Sequence, residues 1–200
     1  MEIPVGIDND SREIAVLKVR PGEHVTVAGP AESGRTSALG LIATQLRKGD
    51  PKLVLVGVAP PDSALASYGV FDATGSFEEI KDVLEVALND SRRWVVLVDD
   101  AGRVEDEIGP LQTIGKSCPP NVTLIAAIRS SSARGAYGHW TRSVRGSGVG
   151  VLLQPDNSVD SELLGVRLPR GERLEEIPGR CYLVQSATAA QCQLALVDLS

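Results

Sequence analysis

The feature that most constrains this chain is a glycine-containing loop between a strand-like run and a helix-like run. Residues 29–36 read GPAESGRT, with glycines five positions apart, directly after the β-branched run His24 to Ala28. Apolar residues at helical spacing follow and predict a helix from Thr36 to Lys48, with Gly49 as its cap. A loop of this kind at a helix N-terminus can turn several backbone N–H groups towards one anion. We therefore predict a phosphate-binding loop; the alternative is a tight strand-to-helix turn.

Several loop residues are of types that contact nucleotide phosphates and magnesium. The Thr36 hydroxyl would touch Mg²⁺, and Arg35 stands where such a loop usually has lysine. Arginine keeps the positive charge, but its planar guanidinium has to fit into the space of a compact ammonium. ATP and Mg²⁺ are the cofactors expected if the site is active, and no cofactor is expected otherwise. The predicted nucleotide-binding residues are Gly29, Ser33, Gly34, Arg35, Thr36 and Ser37.

A hydrophobic strand that ends in two carboxylates lies further along the chain. The segment from Trp94 to Asp100 reads WVVLVDD. Beside a phosphate loop, the first acid of such a pair holds Mg²⁺ through water, and the second, usually glutamate, orients the attacking water. We predict Asp99 as a magnesium ligand and Asp100 as a weak catalytic residue, because the shorter aspartate would misplace the water by about 1 Å and cost on the order of 100-fold. Without the loop, two such acids would be an ordinary turn.

Strand-like and helix-like segments alternate along most of the chain. Runs such as Leu53 to Val58 are apolar on both faces, as buried parallel strands are. Ser76 and Glu79 predict a capping box at the start of a helix. The C-terminal alternation around a polar break at residues 186–190 predicts an antiparallel hairpin at the sheet edge. The pattern indicates an α/β fold: a mainly parallel sheet with helices on both faces and ligands at the carboxyl ends of its strands.

The composition limits the partners and the setting of the chain. It has 200 residues, 42% of them hydrophobic, and a formal net charge of -6. These values fit one domain over residues 1–200 and make DNA an unlikely partner, since binding DNA needs clustered lysine and arginine. The cysteines Cys118, Cys181 and Cys192 are predicted to be free, buried thiols in a reducing compartment. There is no signal peptide or membrane-length apolar run, and the abrupt start favours a cytosolic domain cut from a longer protein.

The order of these motifs resembles that of the FtsK/SpoIIIE-type ATPases, which are P-loop NTPases with a RecA-like fold. It is closest to the degenerate ATPase domains of EccC-type type VII secretion translocases and of FHA-linked FtsK-like proteins of actinobacteria. The segment from Pro4 to Leu39 resembles the family's first strands and its phosphate loop, VVLVDDAGRV resembles its acidic strand, and LIAAIRS lies where the family has ATQRP. The segment from Asp160 to Val184 resembles its LLG…PGR-G-Y ending. That ending is the most discriminating part, because a generic P-loop enzyme has no reason to contain it.

The resemblance implies a ring-forming motor module that binds ATP between neighbouring domains, with an arginine donated across the interface. The implied partners are neighbouring ATPase domains of the same chain or ring and a secreted substrate protein. Membrane contact would come only through other parts of the full-length protein, which would place this piece in the cytoplasm at the inner face of the cell membrane. Arg134, Arg142 and Arg145 are candidates for the donated arginine, and Tyr137 and Trp140 for a pore loop or partner surface. The alternatives are solvated charges and ordinary core or lid residues.

Four positions depart from the pattern of an active enzyme. Besides Arg35 and Asp100, Ile128 aligns with the family's sensing glutamine, and Glu32 adds a negative charge to the loop unless it faces solvent, as we expect. The departures favour a degenerate ATP-binding module with weak or no hydrolysis, whose occupancy sets contacts with neighbouring domains. One alternative is a nucleotide-free docking module for a peptide or domain, with an ion pair between Arg35 and Glu32 in the phosphate position. Another is a DNA-translocating motor, which the acidic balance disfavours.

Overall fold

The computed structural model describes residues 1–135, 138–156, 160, 162–169, 174–175 and 177–197. Ten strands of this part of the chain form one sheet. The strands are β1 (Glu2–Asp8), β2 (Ile14–Lys18), β3 (Val25–Gly29), β4 (Val54–Val58), β5 (Ala73–Gly75), β6 (Trp94–Val98), β7 (Val122–Arg129), β8 (Gly150–Leu153), β9 (Arg180–Gln185) and β10 (Thr188–Leu194). The helices are α1 (Arg35–Gly49), α2 (Phe77–Asn89), α3 (Pro110–Ser117), α4 (Ser130–Gly135) and α5 (Thr141–Gly146).

The sheet has a parallel block and an antiparallel extension, in the order β2-β1-β10-β9-β8-β3-β7-β6-β4-β5. The strands from β8 to β5 in this order are all parallel. β9 and β10 form the predicted antiparallel hairpin beside β8, but they do not end the sheet. β1 pairs with β10 and carries β2 outwards, so the hairpin borders the parallel block and lies inside the whole sheet. The predicted α/β class is confirmed.

The core is divided by the sheet, because alternate residues of each strand face opposite sides. On one face, α1 packs against a cluster that includes Val27 of β3 and Leu97 of β6. On the other face, α2 and α3 pack against Val56 and Val96. Helices therefore cover both faces of the parallel block, as predicted, and the loop ahead of α1 lies at the carboxyl end of β3.

Local sequence signals predict one helix start correctly and one helix end incorrectly. The capping box is confirmed: the Glu79 carboxylate accepts hydrogen bonds from the Ser76 backbone N–H and hydroxyl, each at 2.8 Å. The prediction that Gly49 caps α1 is wrong, because the cap is Asp50, in an extended conformation, and Gly49 is the last helical residue. A helix can end this way when the cap N–H still reaches the last turn, here the carbonyl of Leu46 at 2.9 Å.

The cysteines are free thiols but are not all buried. Cys181 and Cys192 lie opposite each other in β9 and β10 and are buried. The prediction of a buried thiol is wrong for Cys118, which is exposed because it ends α3 at the surface in a left-handed conformation, with φ of 47°. Among the described residues, no helix combines the length and the apolar character needed to cross a bilayer.

Candidate functional site

The glycine-containing loop leaves β3 and enters α1 through two residues in the left-handed region. Gly34 lies in the left-handed region with φ of 89°, and Glu32 does so with φ of 61°. Left-handed residues in a short loop are typical of backbone nests, in which successive N–H groups converge. The first hydrogen bond of α1 runs from Ala38 N–H to the Gly34 carbonyl at 2.9 Å. The amides before Ala38 therefore lie outside the helical ladder and are available to an anion.

The first glycine of the loop is required by close packing. A Cβ at Gly29 would lie 2.4 Å from the Ser33 hydroxyl oxygen and 2.9 Å from the Leu153 carbonyl oxygen. Ser33 is buried, and its hydroxyl donates to the Pro30 carbonyl at 2.9 Å. The loop therefore closes on itself by contacts that a larger residue at position 29 would break.

Arg35 folds back across the loop and connects it to the acidic strand. One of its terminal nitrogens donates to the carbonyls of Gly29, at 2.9 Å, and Pro30. The other donates to Asp100 Oδ1 at 3.1 Å. The side chain is only 9% exposed, and its Nε is buried without a hydrogen-bond acceptor within the described part of the chain. The guanidinium is thus held on two sides.

The predicted ion pair between Arg35 and Glu32 is wrong, because Arg35 pairs with Asp100. Glu32 is exposed, as expected for a side chain that faces solvent. Asp100 follows β6 in a left-handed conformation, with φ of 44°, and its second carboxylate oxygen lies 3.7 Å from Arg103. Two cations therefore flank the acid that was predicted to orient a water.

Asp99 is the buried centre of a second group of polar contacts. It is 4% exposed, and its Oδ2 accepts hydrogen bonds from the hydroxyls of Thr36, at 2.9 Å, and Ser63, at 2.7 Å. Its Oδ1 accepts from the Asp100 N–H at 3.0 Å. A carboxylate beside a threonine hydroxyl is a set of oxygen donors of the kind that Mg²⁺ prefers. Thr36 and Asp99 therefore have the right chemistry for the predicted metal.

The other predicted site residues lie around these contacts or apart from them. Ser37 is exposed in the first turn of α1. Ile128 is fully buried in β7, and its side chain lies 3.5 Å from the point that a Cβ at Gly102 would occupy. The position aligned with a sensing glutamine thus packs against the turn after Asp100.

The candidates for a donated arginine or a partner surface are placed away from the loop. Arg134, Arg142 and Arg145 line a cavity of their own. Trp140 is not a surface contact, because it is 1% exposed and donates to the Val104 carbonyl at 2.8 Å. Tyr137 lies outside the described residues.

Sequence reasoning missed three residues near the acids. Ser63 comes from the turn that follows β4, and only the two prolines at positions 60 and 61 hinted that the chain turns there. Arg103 and Arg129 line a cavity of about 320 Å³ together with Asp100. The sheet order brings Arg129, at the end of β7, beside the end of β6, whereas Arg103 lies three residues after Asp100 in the same turn.

Comparisons with known proteins support the fold. No protein-family model matches the chain, and no curated protein sequence does. Among solved structures, EssC (ATPases 2 and 3) from Geobacillus thermodenitrificans matches with a TM-score of 0.75 and 17% identity, over 98% of this chain and 41% of that one. EccC (ATPases 2 and 3) from Thermomonospora curvata, in complex with a signal sequence peptide, matches with a TM-score of 0.75 and 20% identity over the same shares.

A third match comes from a conjugation system. The pCW3 conjugation coupling protein TcpA, in a monomer form with ATPgS, matches with a TM-score of 0.68 and 16% identity, over 99% of this chain and 67% of that one. The chain thus spans about two fifths of the EssC and EccC structures. The resemblance to FtsK/SpoIIIE-type ATPase domains, with their RecA-like P-loop fold, is confirmed at the level of the fold.

Proposed function

We propose that this chain is a nucleotide-binding module of an FtsK/SpoIIIE-type, type VII secretion-like translocase, and that it binds ATP but hydrolyses it weakly or not at all. The observation that carries the proposal is the contact between Arg35 and Asp100, at 3.1 Å. It joins the cation of the phosphate loop to the acid that would orient a water. While the two side chains pair, Arg35 is not free to contact the γ-phosphate and Asp100 is not free to orient the attacking water.

The pair opposes hydrolysis for two physical reasons. A water-orienting carboxylate has to be free to accept a hydrogen bond from the water, whereas Asp100 lies between Arg35 and Arg103. A guanidinium that leaves the pair to follow the γ-phosphate would leave a partly buried carboxylate short of one partner, which is costly. The shorter side chain of Asp100 adds the misplacement expected from its sequence.

Binding is supported by groups that the pair does not occupy. The loop amides ahead of Ala38 can donate hydrogen bonds to phosphate oxygens, and the α1 N-terminus adds positive potential. Thr36 and Asp99 would hold Mg²⁺, which would neutralise phosphate charge when bound. Arg35 can exchange the Asp100 carboxylate for a phosphate oxygen, since its fork suits both acceptors.

The same contact favours a second candidate function, a nucleotide-free docking module. In that case the Arg35 guanidinium and the Asp100 carboxylate act together as a permanent internal filling of the phosphate position. The domain would then contribute only its surface to a neighbouring domain or a peptide. The two candidates differ in one measurable property, the affinity for nucleotide.

Isothermal titration with ATP and Mg²⁺ tests binding, and a sensitive phosphate-release assay tests turnover. We expect saturable heat and little or no phosphate from the wild type. Absence of heat at millimolar ATP would support the docking module instead. The double variant Arg35→Lys, Asp100→Glu should gain turnover, and a matched double variant of exposed residues, Arg20→Lys with Asp10→Glu, should not. A double variant that binds ATP and stays inactive would show that the pair is not what limits hydrolysis.

The partners and location of the module follow the same proposal. The matched EccC structure holds a signal sequence peptide, and both it and EssC contain two ATPase units. By analogy, we infer that this module contacts neighbouring ATPase domains and a secreted protein, in the cytoplasm at the inner face of the membrane. Fractionation of cells should place the full-length protein with the membrane, and site-specific cross-linkers on the surface should capture a neighbouring ATPase domain. A freely soluble full-length protein would contradict the location.

A further inference from the structure

A second cluster of cations lies away from the glycine-containing loop. Arg134, Arg142 and Arg145 line a cavity of about 370 Å³ between α4, α5 and residues 162–165. This volume is within the range of small-ligand pockets, roughly 300–1,000 Å³. Leu163 and Leu164 supply an apolar wall. The cavity therefore combines several fixed cations with a partly apolar lining.

The cavity is separate from the loop in both position and sheet face. Gly146 and Gly148 lie just before β8, whose residue Gly150 is level with Thr26 near the start of β3. The loop begins after Gly29, three residues further along that strand, which is a distance of about 10 Å at roughly 3.3 Å per residue. Leu163 and Leu164 also pack on the face of the sheet opposite α1. One anion cannot occupy both places.

The charges of the cavity are only partly compensated. Arg134 is fixed by the buried Asp160, at 2.7 Å. Arg145 makes no ion pair within the described residues, and its Nε is buried without a hydrogen-bond acceptor there. Burial, together with the nearby charge of Arg142, lowers the pKa of Arg145. Glu162 is the one acid among the described residues that line the cavity, beside the three arginines.

We propose that this cavity binds a phosphate group, either inorganic phosphate or a phosphate monoester, with Arg145 as its main contact. Arg145 is a half-buried guanidinium without an ion pair among the described residues, and an oxyanion bound at its terminal nitrogens would compensate its charge. Phosphate suits the site better than a single carboxylate, because its several oxygens can each meet a different guanidinium. Arg134, already held by Asp160, is a preorganised second donor.

The glycines around the cavity leave room for such a group. A Cβ at Gly146 or at Gly165 would meet no heavy atom within 4 Å. Gly148 has φ of 63°, which favours glycine, and its amide lies beside the cavity. The space is therefore open on the side of these residues, and their backbone N–H groups can report on what enters it.

The test is a phosphate titration of the ¹⁵N-labelled chain followed by NMR, reading glycine amides. We expect saturable shifts at Gly146, Gly148 and Gly165 that are separate from any shift at Gly34. Arg145→Gln should weaken the affinity read at the cavity amides at least tenfold, while Arg20→Gln, an equal change of charge at an exposed site, should leave it unchanged. Saturable shifts confined to Gly34, or equal losses in both variants, would overturn the proposal.

Two further arms keep the test decisive. Gly146→Val keeps every charge and adds bulk at a residue that lines the cavity, so it should weaken binding as Arg145→Gln does. If Arg145→Gln does not fold, Gly146→Val and Arg142→Gln together decide the test. A parallel titration with glycerol 3-phosphate shows whether the cavity prefers a phosphate monoester or inorganic phosphate, because the preferred ligand binds more tightly. Either preference agrees with the proposal. Succinate that binds more tightly than both would overturn the assignment to phosphate.

Discussion

Asp100→Asn should increase the affinity for ATP, which is an unusual direction for a change at a predicted catalytic acid. In the free protein the Asp100 carboxylate holds the Arg35 guanidinium at 3.1 Å. ATP has to compete for that guanidinium and also brings its γ-phosphate near a negative charge. Asparagine keeps the shape and one hydrogen-bond acceptor but removes the charge, so both obstacles become smaller.

The size of the effect follows from the geometry of the pair. Two unit charges 3.1 Å apart attract by about 5 kcal/mol at an effective dielectric constant of about 20. Most of this attraction is offset by lost hydration, and Asp100 is 21% exposed, so about 1–2 kcal/mol of net coupling should remain. Since about 1.4 kcal/mol corresponds to a factor of ten, ATP should bind about tenfold more tightly to the variant.

Isothermal titration of wild type and variant, with ATP and with ADP in parallel, measures this change. ADP should gain less than ATP, because it has no γ-phosphate to be repelled. Asp10→Asn removes one negative charge from an exposed turn and controls for the overall charge of the chain. If Asp100→Asn binds ATP no better than Asp10→Asn, the ion pair does not oppose binding, and the reasoning is refuted.

Three other perturbations test the packing around the site and the core. Gly40→Ala should lower the free energy of unfolding by about 1–3 kcal/mol in urea titrations, because its Cβ would lie 2.0 Å from the Tyr68 ring, even though alanine favours helices. Adding Tyr68→Ala to the same chain should restore part of the lost stability. If it does not, the clash with Tyr68 is not the cause of the loss. Gly29→Ala should weaken ATP binding at least about tenfold in titration calorimetry, because its Cβ would lie 2.4 Å from the Ser33 hydroxyl oxygen. An unchanged affinity for ATP would show that the loop accommodates the extra methyl group. Burial lowers the pKa of His24 below its ordinary value of 6.5, so its contribution to stability is complete above pH 6.5 and is lost as the pH falls below it. Between about pH 7.5 and about pH 5.5 the wild type should lose more stability than His24→Gln, by at most about 1.4 kcal/mol, and equal losses would exclude this role for the imidazole.

Local sequence signals were sufficient for the frame of the site. The loop of residues 29–36 could be located because its glycines answer local demands, namely a close approach at Gly29 and a left-handed φ at Gly34. The buried strands could be located because they are apolar on both faces, and their parallel order places their carboxyl ends at one edge. The structure accordingly brings Thr36 and Asp99 within hydrogen-bond distance.

Partners that depend on the order of strands could not be predicted from the sequence. Arg35 was expected to pair with Glu32, which is near in sequence, but its partner Asp100 comes from a strand two places away in the sheet. Ser63 reaches Asp99 for the same reason, because β4 lies beside β6 in the sheet. Sequence spacing says which side chains share a helix face or a strand face, but it does not say which loops meet at the sheet edge.

The replacements at the site are physically coupled and are best understood as one change. The Arg35 guanidinium has two terminal nitrogens, one on the loop carbonyls and one on Asp100, whereas a lysine ammonium would have to reach both sides from a single nitrogen. The apolar side chain of Ile128 packs beneath the turn after Asp100 and offers no polar atom that could compete for either charge. The arginine and the short acid therefore form a closed pair, and the apolar residue beneath the turn does not compete with it.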